Sequence, residues 1–592
     1  MAFTPHQQQA IEYDGHLLIV AGPGSGKTTT SVAKAQRILD DPARSLIMVT
    51  FSKEGAVEMQ RRLDATREKA GLKPYQEDRL IISTFHSIAI RHLQHHTGRR
   101  RVLSPVQQNI LLRDALNSFV PDPAEQKEVM QEFEFYMYAI DRASVSMSRS
   151  ATQVIQRYTE RLDAMGQTDL YTIMRECALR ADDGSIAPMP YTDMLVDEGQ
   201  DTDELQQVWI FAHARAGCRV TIVGDDDQSI YEWRHALGYK GMRSFLETFH
   251  AKRVELGDNF RSRAEILAHA VTLIKHNNSR LSKHLVARRG RGGVVCAYRT
   301  PSAVAQAEML ANLISCTPDQ HLNAVVLARK NRSLDVLEME LRSHGIEYKR
   351  IGPSIWENPH IASYLSFLQT LIDATPVGVL AALRTQQVDG TLITELLQAM
   401  KGSAVDLLDG TVPDLHSATD QDRKVLEKFA RDCRYWRNQL RPNATAGGSV
   451  REVILETGDV YADWTNNRNK ADLVQLCARI LSDMTGTLSS RLRYLSQKNR
   501  SRSDVPIVLM TMHGSKGLEF DTVHVIDANA DDEEVLPSLR EAERRLMYVA
   551  LTRAKNRCVV WFSEKPSSSV TEAQIPLKLH IKDVRNLLEQ AH

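Results

Sequence analysis

Apolar runs of strand length recur along the chain, and most are followed by a segment of helical periodicity. From Leu17 the sequence reads LLIVA, enters the turn GPGSGKT and continues with Val32, Ala33, Ala35, Ile38 and Leu39 on one helical face. SLIMVTF (45–51), LIISTF (80–85), MLV (194–196) and VTIVGDDDQ (220–228) supply four further strands. Continuous Val/Ile/Leu runs alternating with helices predict a parallel sheet covered on both faces, with its ligand at the carboxyl ends of the strands. Residues 88–190 break this rhythm. QQNILLRDALNSF and EQKEVMQEFEFYMYAI have helical spacing and no strand signal, so the segment reads as a helical insertion. The alternation resumes after Asn259 with GGVVCAYRT (292–300) and AVVLARK (324–330). A second helical stretch covers about 360–495 and carries the turn-rich connection RPNATAGGS (441–449). VPIVLMT (505–511), TVHVIDA (522–528) and CVVWFS (558–563) return to strand character. The expected fold class is α/β: two parallel-sheet domains, each interrupted by a mainly helical insertion.

Composition narrows the function classes. The chain has 592 residues and 42% hydrophobic content, too many for one core and enough for about three to five domains. Lys+Arg and Asp+Glu each number 74, so a nucleic acid would need a locally basic groove rather than a cationic surface. Seven cysteines are scattered without CxxC or Cys/His spacing, which predicts free thiols in a reducing compartment and no zinc or iron–sulfur centre. MAFTPHQQQAIEYDG has no apolar signal core, and the longest apolar runs are strand-length. A cytoplasmic protein without a membrane segment is therefore expected.

The chemistry begins at AGPGSGKT (21–28). Gly22, Gly24 and Gly26, with Ser25, let backbone amides face a phosphate; Lys27 reaches β- and γ-phosphates, and the Thr28 hydroxyl holds Mg²⁺. Ala21 stands where the strict pattern has glycine. Asp197 and Glu198 end the fourth strand, where one carboxylate can hold the metal and the other can take a proton from attacking water. Gln228 ends the fifth and can sense the γ-phosphate. Developing charge needs further cations, and Arg261 in NFRS and Arg553 in ALTRAK are the candidates. Both fall in the second α/β pattern, so a nucleotide reached by both would sit between two domains and its hydrolysis would move them.

These residues, in this order, resemble superfamily 1 helicases of the UvrD/PcrA/Rep group. The resemblance spans Thr4-Pro5-His6-Gln7 with Ala10, AGPGSGKT, VTFSKEGAVEM (49–59), STFHS (83–87), VDEGQDT (196–202), VGDDDQSIYEWRHA (223–236), LGDNFRS (256–262), VLARKNRSLDVLEMELRSHGIEYKRIG (326–352), VLMTMHGSKGLEFDTVHV (508–525) and EAERRLMYVALTRAK (541–555). It implies two RecA-like P-loop NTPase domains: 1–90 and 188–258 for the first with insertion 91–187, and 259–358 and 501–592 for the second with a shortened insertion 359–500. It implies an ATP- and Mg²⁺-dependent 3′-to-5′ DNA helicase acting on single strands and single/double-strand junctions. Gln7 would read adenine, Phe260 stack on it, and Glu519 bind the ribose. Arg261 and Arg553 would be arginine fingers. Thr84, Phe85, Tyr231, Trp233 and His513 would touch DNA, and Arg234 would couple the two sites. Stacking on aromatics ignores base identity, as a motor requires.

The chain departs from the family pattern at Lys53-Glu54, at Thr29 and at His235, where relatives usually have Asn-Lys, Arg and Gly. Glu54 would weaken local phosphate attraction, with Lys53 to compensate. RRGRGG (288–293) reads either as a phosphate patch or as a solvated loop. Past the last motif, neither a nuclease domain nor an extended basic tail is expected. The shortened second insertion leaves a different class of function open: a DNA-stimulated ATPase that senses DNA for a partner nuclease, for example in phage defence, with little unwinding of its own.

Overall fold

The computed structural model describes residues 3–69, 71, 73–76, 78–97, 101–440, 449–465, 467–496, 507–530 and 536–578. Of the turn-rich connection expected at 441–449, only Ser449 lies within them. The chain divides into two compact units, Met1–Gly293 with Glu534–Thr552 and Val294–Glu533 with Arg553–His592. The sequence reading grouped 259–358 with the second domain; the first unit instead extends to Gly293 and takes in a segment from near the end of the chain.

The first unit is built on β1 (Leu17–Ala21), β2 (Leu46–Thr50), β3 (Leu80–Thr84), β4 (Asp193–Val196), β5 (Arg219–Gly224) and β6 (Lys252–Leu256). Their order is β3-β2-β4-β5-β1-β6, and every pairing is parallel. Alternate side chains of the apolar runs enter different cores. Leu18, Val20, Ile47 and Val49 pack on one face; Leu17, Ile19, Leu46 and Met48 pack on the other. That double burial is why these strands show no polar face. β6 has no counterpart in the sequence reading. KRVEL mixes exposed and buried side chains, as an edge strand does, and contains no continuous apolar run.

The predicted insertion is helical, with Pro105–Phe119, Pro123–Tyr138 and Arg149–Ala164 closing around Leu112, Leu116, Phe133 and Tyr158. The Tyr158 hydroxyl donates to Asp169 Oδ2 at 2.5 Å inside this small core. One two-residue pairing, Arg101–Val102 with Gln167–Thr168, is the exception to its helical character. The late segment contributes the helix Pro537–Leu551, tied to residues after the helix Ala264–Ile274. Asn277 Nδ2 donates to the Glu541 carbonyl at 3.0 Å and Arg544 Nη1 to that of His276 at 3.3 Å.

The second unit has its own parallel sheet: β7 (Val294–Arg299), β8 (Ala324–Ala328), β9 (Lys349–Arg350), β10 (Ile507–Thr511), β11 (Phe520–Val525), β12 (Ala554–Phe562) and β13 (Leu577–Lys578). Their order is β9-β10-β8-β11-β12-β7-β13. Helices from Pro359–Asp373 to Leu488–Ser496 form the second insertion around Tyr364, Phe367, Phe429, Trp436 and Tyr461. Two parallel α/β sheets in two domains, each with helical insertions, agree with the fold class expected from the sequence. The seven cysteines are free, and all but Cys316 are buried. Among the described residues, no helix is long and apolar enough to cross a membrane.

Candidate functional site

In the first unit the carboxyl ends of β1, β4 and β5 bring together three of the predicted segments. After β1 the chain turns through 22–26 into the helix Lys27–Asp40, whose N-cap is Gly26 at φ 79°. Gly24 has φ 60°, and a Cβ on it would lie 2.5 Å from Arg261 Cβ. A Cβ on Gly26 would lie 2.9 Å from Gln7 Nε2. Glycine is therefore required at both places by conformation and by close approach. The Ser25 hydroxyl is buried and has no hydrogen-bond partner. A glycine turn at a helix N-terminus that leaves a buried hydroxyl unsatisfied fits a phosphate group. Thr28, at the start of that helix, and Asp197, at the end of β4, are the oxygen donors that suit Mg²⁺.

Two flanking segments brace the turn. Gln7 Nε2 donates to the Ser25 carbonyl at 3.0 Å, while Gln7 Oε1 accepts from the Thr4 N–H at 3.0 Å in a capping box that starts the helix Pro5–Glu12. On the other side, Phe260 N–H donates to the Gly24 carbonyl at 2.9 Å and Asn259 Nδ2 to that of Pro23 at 2.6 Å. Asn259, unnoticed in the sequence, also accepts from the Arg261 and Ser262 N–H groups at 3.1 and 2.7 Å. Phe260 is left 44% exposed. Arg261 reaches the Thr552 carbonyl through Nη1 at 3.2 Å. Two of the three arginines of RRGRGG, Arg288 and Arg289, act as braces too. Arg289 Nη1 donates to the Arg261 carbonyl at 2.8 Å, and Arg288 pairs with Asp258 at 2.6 Å.

Lys27 Nζ lies 3.4 Å from Glu198 Oε2. Glu198 has φ 51°, a left-handed conformation that costs a non-glycine residue about 1–3 kcal/mol and that concentrates at functional sites. Gln200 Nε2 donates to the same Glu198 oxygen at 2.6 Å, and Gln200 Oε1 accepts from the Asp225 N–H at 2.9 Å. Gln228 is buried and donates through Nε2 to Asp225 Oδ2 at 2.5 Å. The three consecutive aspartates before it are buried around the Lys283 ammonium. Burial pushes the Asp226 carboxyl up; at Asp227 the same burial is outweighed by Lys283 and Arg280, which hold it down.

The loop that continues from Gln228 carries the aromatics. Tyr231 stacks on Phe51, with ring centroids 5.4 Å apart and planes 12° apart; Phe51 had not been singled out, although it lies inside the quoted VTFSKEG. Trp233 is 60% exposed, and the Arg234 guanidinium sits 4.5 Å over its ring. Thr84 Oγ1 bonds Ser87 Oγ at 3.1 Å at the end of β3. Phe85 corrects an expectation. It is 5% exposed and packs edge-to-face on Trp209 at 6.3 Å, within the sheet's core, so no ring face is open to a base. Its position starting the helix Phe85–Thr97, one turn before Ile88 and Ala89, gives it to that core.

The remaining predicted residues lie in the second unit. Arg553 is 1% exposed and donates through Nη1 to the Leu518 carbonyl at 3.2 Å. Glu519 pairs with Lys555 at 3.0 Å. Burial, reinforced by Arg329, lowers His513 to about 4, so its imidazole is neutral near pH 7.

Comparison with known proteins adds an independent result. Residues 3–250 match the family model of the UvrD/REP helicase N-terminal domain, and 254–409 with 412–565 match that of the UvrD-like helicase C-terminal domain. The chain is 27% identical to DNA helicase II of Escherichia coli (strain K12), over 93% of this chain and 82% of that protein. It is 25% identical to ATP-dependent DNA helicase PcrA of Bacillus subtilis (strain 168), over 93% and 81%. Against ATP-dependent DNA helicase Rep of Buchnera aphidicola subsp. Schizaphis graminum, identity is 24% over 100% and 96%.

Proposed function

Because the chain belongs to the UvrD/REP helicase family, we propose that it is an ATP-driven motor that tracks 3′ to 5′ along single-stranded DNA and opens duplex at single/double-strand junctions. One observation carries the reading. A single loop holds Gln228, hydrogen-bonded to the Asp225 that also bonds Gln200 beside Glu198, and then presents Trp233, 60% exposed, to solvent. Events at the phosphate and at the strand would thereby be joined through a stretch of six residues, Gln228 to Trp233.

In this reading the turn 22–28 binds the triphosphate through its amides and the Ser25 hydroxyl. Lys27 exchanges Glu198 for β- and γ-phosphate oxygens, which frees the carboxylate to take the proton of the attacking water. Thr28 and Asp197 would hold Mg²⁺, which would supply charge neutralisation at the phosphates. Gln228 orients the water, and Arg261 and Arg553 serve as cations for the developing charge. Phe260 stacks on adenine, with Gln7 at the base edge and Glu519 at the ribose. Tyr231, Trp233, Arg234, Thr84 and His513 meet the strand. Aromatic stacking is worth about 1–3 kcal/mol per base and is indifferent to sequence.

The test is ATP turnover with and without oligo-dT, followed by strand displacement. Single-stranded DNA is expected to raise turnover. Lys27→Ala and Glu198→Gln are expected to abolish it. Trp233→Ala is expected to keep basal hydrolysis and lose the DNA response. Duplexes with 3′ tails are expected to open, and those with 5′ tails to stay closed. Equal turnover with and without DNA, or full activity in Glu198→Gln, would overturn the reading.

A further inference from the structure

Lys283 lies outside every motif that the sequence singled out, yet its side chain is completely buried. Its Nζ sits 2.5 Å from Asp225 Oδ1, 2.7 Å from Asp226 Oδ1 and 3.0 Å from Asp227 Oδ2. Arg280 takes both oxygens of Asp227, at 2.9 and 2.6 Å, and the Leu281 N–H donates to Asp226 Oδ2 at 2.5 Å. Three carboxylates thus share two cations in a place closed to water. Ligand oxygens of the three lie within 4.8 Å of one another, a spacing at which desolvated like charges repel strongly. The ammonium of Lys283 fills the position in which this trio would otherwise hold a cation.

Asp225 is where the trio meets the chemistry. Its Oδ1 is held by Lys283, and its Oδ2 accepts from Gln228 Nε2. Its N–H donates to Gln200 Oε1, and Gln200 Nε2 donates onward to Glu198 Oε2. One aspartate therefore orients both the amide read as the γ-phosphate sensor and the carboxylate read as the general base. Among the described residues, only Lys283 pairs with all three acids of the turn that sets that aspartate in place.

We propose that Lys283 is a positioning residue for ATP hydrolysis: by clamping the three aspartates it aims the Gln228 amide and, through Asp225 and Gln200, the Glu198 carboxylate. The inference rests on the roles proposed above for those two residues. A side chain that merely supported the fold would, when removed, lower stability and leave turnover per folded molecule unchanged. A positioning side chain lowers kcat while nucleotide affinity persists, because the groups that hold the phosphates are untouched.

The experiment uses the full chain with saturating oligo-dT. Lys283→Met is compared with the parent for kcat, for affinity of a fluorescent ATP analogue and for melting temperature, with Glu198→Gln in the same series. Lys283→Met is expected to lose at least about tenfold in kcat while analogue affinity changes by less than about threefold. Adding Asp226→Asn, which removes one of the repelling charges, is expected to recover part of the lost kcat. A folded Lys283→Met with the parent's kcat, or one losing affinity and kcat in parallel, overturns the proposal. Should Lys283→Met fail to fold, Gln200→Met cuts the connection to Glu198 without stranding a charge. It is expected to show the same kcat loss at retained affinity, and an unchanged kcat there overturns the proposal equally. Turnover retained in Glu198→Gln refutes the site reading itself, whereas inactive Glu198→Gln beside normal Lys283→Met refutes only the role of Lys283.

Discussion

Gly24 shows how tightly the phosphate turn is specified at the level of single atoms. Its φ of 60° and the 2.5 Å approach of Arg261 Cβ leave no room for a methyl group. Gly24→Ala is expected to cost about 1–3 kcal/mol in local strain and to weaken ATP-analogue binding about tenfold, read by fluorescence titration. Phe85 and Trp233 make a second contrast. Phe85→Ala empties a core position and should destabilise the fold by about 3–5 kcal/mol. Trp233→Ala, at a ring that is 60% exposed, should shift stability by about 0.5 kcal/mol or less. Denaturant melts distinguish them, and equal losses would contradict the assignment of Phe85 to the core. Lys27, Asp197 and Glu198 stand out in the sequence because their residue types and strand-end spacing are what the proposed chemistry requires. It misplaced Phe85 because an aromatic just after a strand reads the same whether it faces a base or Trp209. It was silent on Lys283, which lies in an unremarkable stretch of chain more than fifty residues from its three partners.

At the scale of elements, the buried strands were legible and the edges were not. β1, β2, β5 and β8 are near-continuous apolar runs because both faces are covered. β6 is half-exposed, and β9 and β13 have two residues each, so none has a period to detect. Helix Glu204–Arg215 offers a test through its buried His213, whose Nε2 accepts from Met189 N–H at 3.0 Å and whose Nδ1 bonds the Trp209 carbonyl at 2.8 Å. Burial, with a smaller contribution from His92, lowers this imidazole from 6.5 to about 4. The folded state therefore binds the proton more weakly than the unfolded state. Its contribution is complete above pH 6.5 and is lost as pH falls from there toward 4, by roughly 3 kcal/mol. His213→Gln is expected to flatten that part of the stability-against-pH profile measured by chemical denaturation, and an unchanged slope would place the acid sensitivity elsewhere.

At the scale of the molecule, the two-sheet plan and both helical insertions could be read from the alternation of strand and helix signals. The true edge of the first unit could not, because segment 259–293 and helix Pro537–Leu551 join it through contacts far apart in sequence. Tyr548 on that helix is completely buried, and the half-buried Arg545–Glu232 ion pair ties the helix to the loop of Tyr231 and Trp233. A fragment ending at Gly293 thus lacks part of its own core. Expressed alone, it is expected to be poorly soluble and to bind little ATP analogue, and a co-expressed peptide spanning 534–552 should restore both; a soluble, nucleotide-binding 1–293 would show the late helix to be dispensable.

That arrangement also sets an order of events during protein synthesis. The ribosome makes the glycine turn at 22–26 long before the helix Pro537–Leu551 that completes its unit, with most of the second unit's sheet translated in between. A growing chain must therefore carry an unfinished first unit while residues 294–533 are translated. Premature termination between residues 294 and 537 would leave both units incomplete rather than one intact and one missing.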